Sequence, residues 1–177
     1  MTLILSGTNG VSDIDGSAAT PAIRGTDANT GIFFPAADTI AFSEGGVEVM
    51  RLDSSANLQF NSGYGSVATA YACRAWVNFN GTGTVAIRAS GNVSSITDNG
   101  TGDYTINFTT AMSDANYSSV VNVSAVYGNY FNGGPSINTG TGSATEFAPT
   151  TTTFRMITYY IGGGINDAKY VNAAVFR

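Results

Sequence analysis

The stretch Asn99-Gly100-Thr101-Gly102-Asp103-Tyr104-Thr105-Ile106-Asn107-Phe108 decides the fold. It opens with a turn, since Asn-Gly supplies the positive φ angles that tight hairpins require. It continues as an alternating run, the period-two pattern of a half-buried strand. The same turn chemistry, Asn80-Gly81-Thr82-Gly83, precedes Thr84-Val85-Ala86-Ile87-Arg88. Further short runs stand upstream at Thr39-Ile40-Ala41-Phe42 and Val47-Glu48-Val49-Met50-Arg51-Leu52. Gly, Thr, Asn, Ser, Val and Tyr dominate, and these form strands and turns rather than helices. The expected fold class is all-β and antiparallel. Nothing beyond the turn keeps a fixed spacing, so the chain is no solenoid.

The chain changes character near Asn61-Ser62-Gly63-Tyr64-Gly65. Before it, runs of four to seven residues are broken by Gly, Pro35 or Asp, and residues 1–30 carry barely any strand signal. Such a stretch has few residues for a core of its own, and the expectation is that it borrows apolar surface from neighbouring copies. After it the strands lengthen, at Ala72 to Phe79, Tyr117 to Tyr127, Thr151 to Ile161 and Lys169 to Phe176. Roughly eight strands in this part suit a β-sandwich. The expected organisation is a short N-terminal β-rich stalk over residues 1–63 and an antiparallel β-sandwich head over 64–177.

Composition narrows the function. Of 177 residues only 7 are Lys or Arg against 12 Asp or Glu, a formal charge of −5. Nucleic-acid binding needs a dense basic surface to displace counterions, so that class is set aside. There is no histidine, which excludes imidazole-based hydrolysis and His-ligated zinc or copper sites. Cys73 is the single cysteine, so no intramolecular disulfide framework exists, and it is read as a small buried hydrophobe. No run approaches the ~18 consecutive apolar residues of a membrane span, so no membrane insertion is expected. Met1-Thr2-Leu3-Ile4-Leu5-Ser6-Gly7 lacks the basic start of a signal peptide. Synthesis in a cytosol without export by a signal-peptide route is expected, so that anything working outside a cell is carried there by other means.

Candidate chemistry is sparse. Glu44 and Glu48 flank one turn and Asp98 and Asp103 another. Paired carboxylates serve glycoside hydrolysis, but acids beside turns ordinarily bond nearby backbone amides. Asp13-Ile14-Asp15-Gly16 has the look of a calcium loop without its downstream Glu and is read as a turn. No catalytic residue, metal or cofactor is assigned. The six Asn-x-Ser/Thr sequons, at Asn80, Asn92, Asn99, Asn107, Asn116 and Asn122, follow from composition. The strongest binding candidate is Tyr127-Gly128-Asn129-Tyr130-Phe131-Asn132-Gly133-Gly134-Pro135, read as a loop because Gly and Pro disfavour a regular strand there. Its Tyr127, Asn129, Tyr130, Phe131 and Asn132 combine rings for stacking on sugars with amides for their hydroxyls; packing over the end of the sandwich is the other reading. Tyr159, Tyr160 and Gly162-Gly163-Gly164 form a second candidate, with core packing as its alternative. Trp76, within Arg74-Ala75-Trp76-Val77-Asn78-Phe79, is read as core.

That last run continues through Asn80-Gly81-Thr82-Gly83-Thr84-Val85-Ala86-Ile87-Arg88 and Gly91-Asn92-Val93-Ser94-Ser95-Ile96-Thr97-Asp98. With Ile106 to Tyr117 and the terminal Val175-Phe176-Arg177, it resembles the C-terminal head of tail-fibre proteins of marine, cyanophage-like bacteriophages. Thr30-Gly31-Ile32-Phe33-Phe34-Pro35 and Glu48-Val49-Met50-Arg51-Leu52-Asp53 resemble the segment just ahead of such heads. The resemblance implies a trimeric virion appendage that is made in the host bacterial cytoplasm. It implies adsorption to a host-surface glycan or protein receptor, and residues 1–25 are expected to dock on another virion protein of tail or capsid. Two alternatives stay open: a capsid-attached decoration fibre without a receptor role, and a short tailspike that depolymerises polysaccharide.

Overall fold

Every described element is a strand, and every pairing between strands is antiparallel, as the period-two runs and Gly/Asn turns dictate. The computed structural model describes residues 4–6, 10–12, 14–124, 131–135, 137–138, 145–160 and 164–177. The chain divides into two units, Met1–Ala70 and Tyr71–Arg177.

In the first unit, β1 (Ile4–Ser6) and β2 (Gly10–Ser12) form a hairpin. A six-stranded meander follows in chain order: β3 (Ile23–Arg24), β4 (Gly31–Phe33), β5 (Ile40–Glu44), β6 (Val47–Leu52), β7 (Leu58–Phe60) and β8 (Ala68–Thr69). Residues 64–70, expected to open the head, lie in this unit because β8 pairs with β7. On one face, Phe33 and Ala41 are buried along with Ser43, and Phe34 N donates to the Asp15 carbonyl at 2.7 Å. Asp15-Gly16 leads into a reversal over residues 17–20 rather than forming the turn itself, with Gly16 at φ +68° and bridged to Pro21. Asp13 lies outside the described residues. The β6–β7 turn is organised by Asp53, which accepts from the Ser55 and Asn57 N–H groups at 2.9 Å and from Gln59 Nε2 at 2.6 Å.

The second unit contains β9 (Cys73–Asn80), β10 (Ala86–Gly91), β11 (Val93–Gly100), β12 (Asp103–Phe108), β13 (Ser118–Val123) and β14 (Phe131–Pro135). Next come β15 (Ile137–Asn138), β16 (Thr145–Glu146), β17 (Thr153–Tyr160), β18 (Gly164–Ile165) and β19 (Val171–Phe176). One sheet has the order β10-β9-β19-β13, the other β11-β12-β17-β14, with β18 on the edge of β17 and β15-β16 a separate pair. Alternation fills the space between the two main sheets. Ala75, Val77 and Phe79 of β9 and Val171, Ala173 and Val175 of β19 meet Tyr104, Ile106 and Phe108 of β12 and Phe154 and Met156 of β17 in one core. This is the β-sandwich the alternation predicts.

The two Asn-Gly turns differ: Gly100 takes the positive φ expected of it, +128°, and Gly81 does not. In Asn80-Gly81-Thr82-Gly83 the positive φ falls on Gly83, and Asn80 acts through its amide, donating to the Thr82 carbonyl at 2.6 Å. Gly81 is needed for another reason. A Cβ there would stand 2.6 Å from the Tyr104 hydroxyl oxygen. That hydroxyl lies 2.8 Å from both the Gly81 carbonyl and Asp167 Oδ1, and Asp167 Oδ1 also accepts from Gly102 N at 2.7 Å. One buried phenol thus ties the β9–β10 loop, the start of β12 and the β18–β19 loop together. Phe79 packs edge-on against its ring, 5.1 Å between centroids.

Candidate functional site

The site is built from the outward phase of β9, β19 and β13. Strand residues alternate between faces, so the buried Ala75, Val77 and Phe79 send Trp76, Asn78 and Asn80 to the opposite side. The same alternation turns Asn172 and Ala174 of β19, and Val120 and Asn122 of β13, onto that outer face.

Register aligns these side chains into two parallel rows. Gly91, Trp76, Ala174 and Val120 are successive cross-strand partners over all four strands, and Ala89, Asn78, Asn172 and Asn122 form the next row. The first row is apolar and open to solvent, with Trp76 45% and Val120 58% exposed. The second is a ladder of three amides, in which Asn78 Nδ2 donates to Asn172 Oδ1 at 2.5 Å. Among the described residues the Asn122 amide has no hydrogen-bond partner, and Asn122 is exposed. The two rows line a shallow depression of about 290 Å³.

The ends of the face are defined as well. The indole crosses Gly91, where a Cβ would stand 2.4 Å from Nε1. Beyond the ladder, the Arg88 guanidinium sits 4.3 Å from the centroid of the Tyr170 ring and donates to the Lys169 carbonyl and to Asn80 Oδ1. The face therefore offers an aromatic platform, a line of amide donors and acceptors, and a cation held in place at one end. Such a surface suits the flat apolar faces and hydroxyl edges of a saccharide, because rings cover C–H groups while amides bond hydroxyls.

Two expectations are corrected here. Trp76 is not core, because it shares its phase with Asn78 and Asn80 rather than with Ala75 and Val77. Cys73 is not a buried hydrophobe but an exposed free thiol near the strand end, its Sγ 3.3 Å from the Ala75 carbonyl. The signal for Trp76 was present in the text: reading the parity of the neighbouring asparagines rather than the hydrophobicity of the ring finds the wet face.

The residues singled out for binding are placed only in part. Tyr127, Asn129 and Tyr130 lie outside the described residues. Phe131 and Asn132 begin β14, so Phe131–Pro135 is a strand and not a loop. It runs along β17, Asn132 opposite Tyr159. Gly133, Gly134 and Pro135 are tolerated because β14 is last in its sheet order, where a missing N–H breaks no second ladder. Phe131 and Asn132 are thus in the five-stranded sheet, and Trp76 and the asparagine ladder in the four-stranded one. Tyr159 and Tyr160 end β17, and Gly162 and Gly163 lie outside the described residues, with Gly164 opening β18.

The carboxylates considered for catalysis are tied up locally. Asp103 is held by Arg155 through two hydrogen bonds of 2.9 and 2.6 Å and takes a third from Asn99. Asp98 accepts from Gly100 N. Glu48 accepts from Nε and Nη2 along one edge of the Arg51 guanidinium, while Glu44 is exposed at the end of β5. Among the described residues no three His, Cys, Asp or Glu side chains are grouped to hold a metal ion.

Comparisons with family models, curated proteins and solved structures find no match.

Proposed function

We propose that this chain is a structural fibre protein of a virion whose β-sandwich head recognises host-surface glycan without cleaving it. The fibre assignment rests on the sequence resemblance, which also makes residues 1–25 the segment for attachment to the particle. The glycan assignment rests on one observation, the Trp76 platform aligned beside the Asn78–Asn172–Asn122 ladder. Each such contact is weak, and several heads presented together add their affinities through geometry.

The chain has a single tryptophan, so its fluorescence reports on this face alone. Titration of the full chain with oligosaccharides from the host surface gives a saturable change in that emission. Trp76→Ala and Asn172→Ala each weaken binding to host cells about tenfold or more, the equivalent of ~1.4 kcal/mol, with an unchanged circular dichroism spectrum. Unchanged adsorption by both folded variants overturns the placement. If Tyr130→Ala and Phe131→Ala alone abolish adsorption, the aromatic segment carries recognition instead. Release of new reducing ends from the polysaccharide overturns the non-enzymatic reading.

A further inference from the structure

Charge is spread unevenly over the molecule. The chain carries 12 acidic and 7 basic residues, yet β9, β10, β13 and β19 contain no Asp and no Glu. Arg74 and Arg88 lie in those strands, and Lys169 stands just ahead of β19. Arg51, Arg155 and Arg177 each pair with a carboxylate, whereas Arg74, Arg88 and Lys169 have no such partner among the described residues. The outer face also continues one row past the asparagine ladder. Tyr170 precedes the Val171–Phe79 and Val171–Val123 pairs and so stands level with Asn80 and with Ser124, whose N–H donates to its carbonyl at 2.8 Å. Arg88 is the bulged residue of β10, and its Nη2 donates to Asn80 Oδ1 at 3.3 Å and to the Lys169 carbonyl at 2.6 Å. Its guanidinium carbon lies 4.3 Å from the Tyr170 ring centroid, and Lys169 Nζ lies 5.8 Å from the same centroid. Two cations thus converge on one half-exposed ring, and the Nε and Nη1 protons of Arg88 have no acceptor among the described residues.

We infer that the saccharide taken by this face is an acidic one, with a carboxylate or sulfate group at Arg88 and Lys169 and an uncharged ring at Trp76. The inference rests on the glycan reading of the face and adds the class of sugar. Two positive charges drawn to one ring repel each other, and an oxyanion between them removes that repulsion. Guanidinium and ammonium groups also make their strongest hydrogen bonds to oxyanions. Arg88 is held in place beforehand by Asn80 and the Lys169 carbonyl, so little side-chain freedom is lost on binding. A sheet without acids does not repel an anionic chain, whereas the rest of a molecule of net charge −5 does, and an acidic polymer is steered to this face. Trp76 and Asn80 are four residues apart on β9, ~13 Å at the strand rise. That span exceeds one sugar ring, so the acid group and the ring at Trp76 belong to different units of one oligosaccharide.

Tryptophan emission of the full chain is titrated with oligogalacturonate, with a sulfated galactan oligosaccharide, and with the neutral counterpart of each. Reducing the carboxyl groups or removing the sulfates makes those counterparts. At low salt the acidic member of at least one pair binds about tenfold or more tightly than its neutral counterpart, and added salt shrinks that advantage. The pair that shows it tells carboxylate from sulfate. Lys169→Gln cuts the advantage about threefold, the scale of one exposed ion pair, and Arg88→Gln with Lys169→Gln removes it. Should Arg88→Gln fail to fold, Lys169→Gln carries the test, since its ammonium makes no hydrogen bond among the described residues. Equal affinity for both members of each pair, with a saturable response, overturns the acidic class and leaves the glycan reading standing. Polyacrylate bound as tightly as oligogalacturonate overturns it too, because charge without sugar rings then suffices. Silence toward all four oligosaccharides overturns the inference, while adsorption of Trp76→Ala and Asn172→Ala separately decides the glycan reading.

Discussion

The indole of Trp76 lies across Gly91: any Cβ at Gly91 would stand 2.4 Å from Nε1 and 2.9 Å from Cδ1. The ring is thus laid down over the edge strand of its sheet, and the absence of a neighbouring side chain leaves room for it. With 45% of its surface still exposed, Trp76 offers its ring to solvent from beside the edge strand.

Gly91→Val tests that relationship without touching Trp76 or the amides. The valine displaces the indole from the sheet, so tryptophan emission shifts to longer wavelength while the fold is kept. Affinity for oligosaccharide falls about tenfold. A crystal structure of the variant with the ring in its parental position counts against the account, as does unaltered emission.

Tyr104→Phe removes the hydroxyl that holds three loops together and leaves the ring against Phe79. The expected cost is ~1–2 kcal/mol, the range for a buried hydrogen bond whose partners lose their donor. It is read as a lower denaturant midpoint at unchanged slope. The burial that encloses this phenol, with Asp167 beside it, pushes its pKa far above the ordinary value of 10. The parent hydroxyl therefore stays un-ionised in the spectrophotometric titration that ionises exposed tyrosines. An unchanged midpoint in Tyr104→Phe would show that the loops are held by backbone bonds alone.

Three exposed carboxylates set the response to acid. Backbone N–H donors at Asn57 and Ser55 hold Asp53 below its ordinary pKa of 3.8, the Asn116 N–H and Arg177 do the same for Asp114, and the Thr30 hydroxyl and Asn29 N–H for Asp27. Their folded pKa values lie under the unfolded ones, so the stability they confer is complete above the unfolded value. It is lost as the pH falls through the folded values, because the unfolded chain takes up protons first. Thermal midpoints measured from neutral pH down to about pH 2 decline in that window, and Asp53→Asn flattens the decline. A decline of identical depth in Asp53→Asn would remove this turn from the acid response.

The sandwich was legible because Tyr104, Ile106 and Phe108 alternate with Asp103, Thr105 and Asn107, and because one glycine-rich turn precedes each of two strands. Local parity and turn chemistry are properties of neighbouring residues. The candidate face was less legible. Trp76 looks like core by hydrophobicity, and only its phase with Asn78 and Asn80 sends it outward. The edge position of β14 was not legible at all, because what makes Gly133-Gly134-Pro135 acceptable as a strand is its place last in the order of the described strands of its sheet.

The amino-acid sequence by itself determined an all-β antiparallel chain, its low charge, and the exclusion of imidazole chemistry and of an intramolecular disulfide, since these follow from residue identity and period-two spacing. Only the tertiary structure decided that Asn78, Asn172 and Asn122, from three strands separated by up to 94 positions, form one ladder beside Trp76. The same holds for the meeting of Arg88 and Lys169 at the Tyr170 ring. Cross-strand register is set by the pairing of whole strands, and no local window of residues contains it.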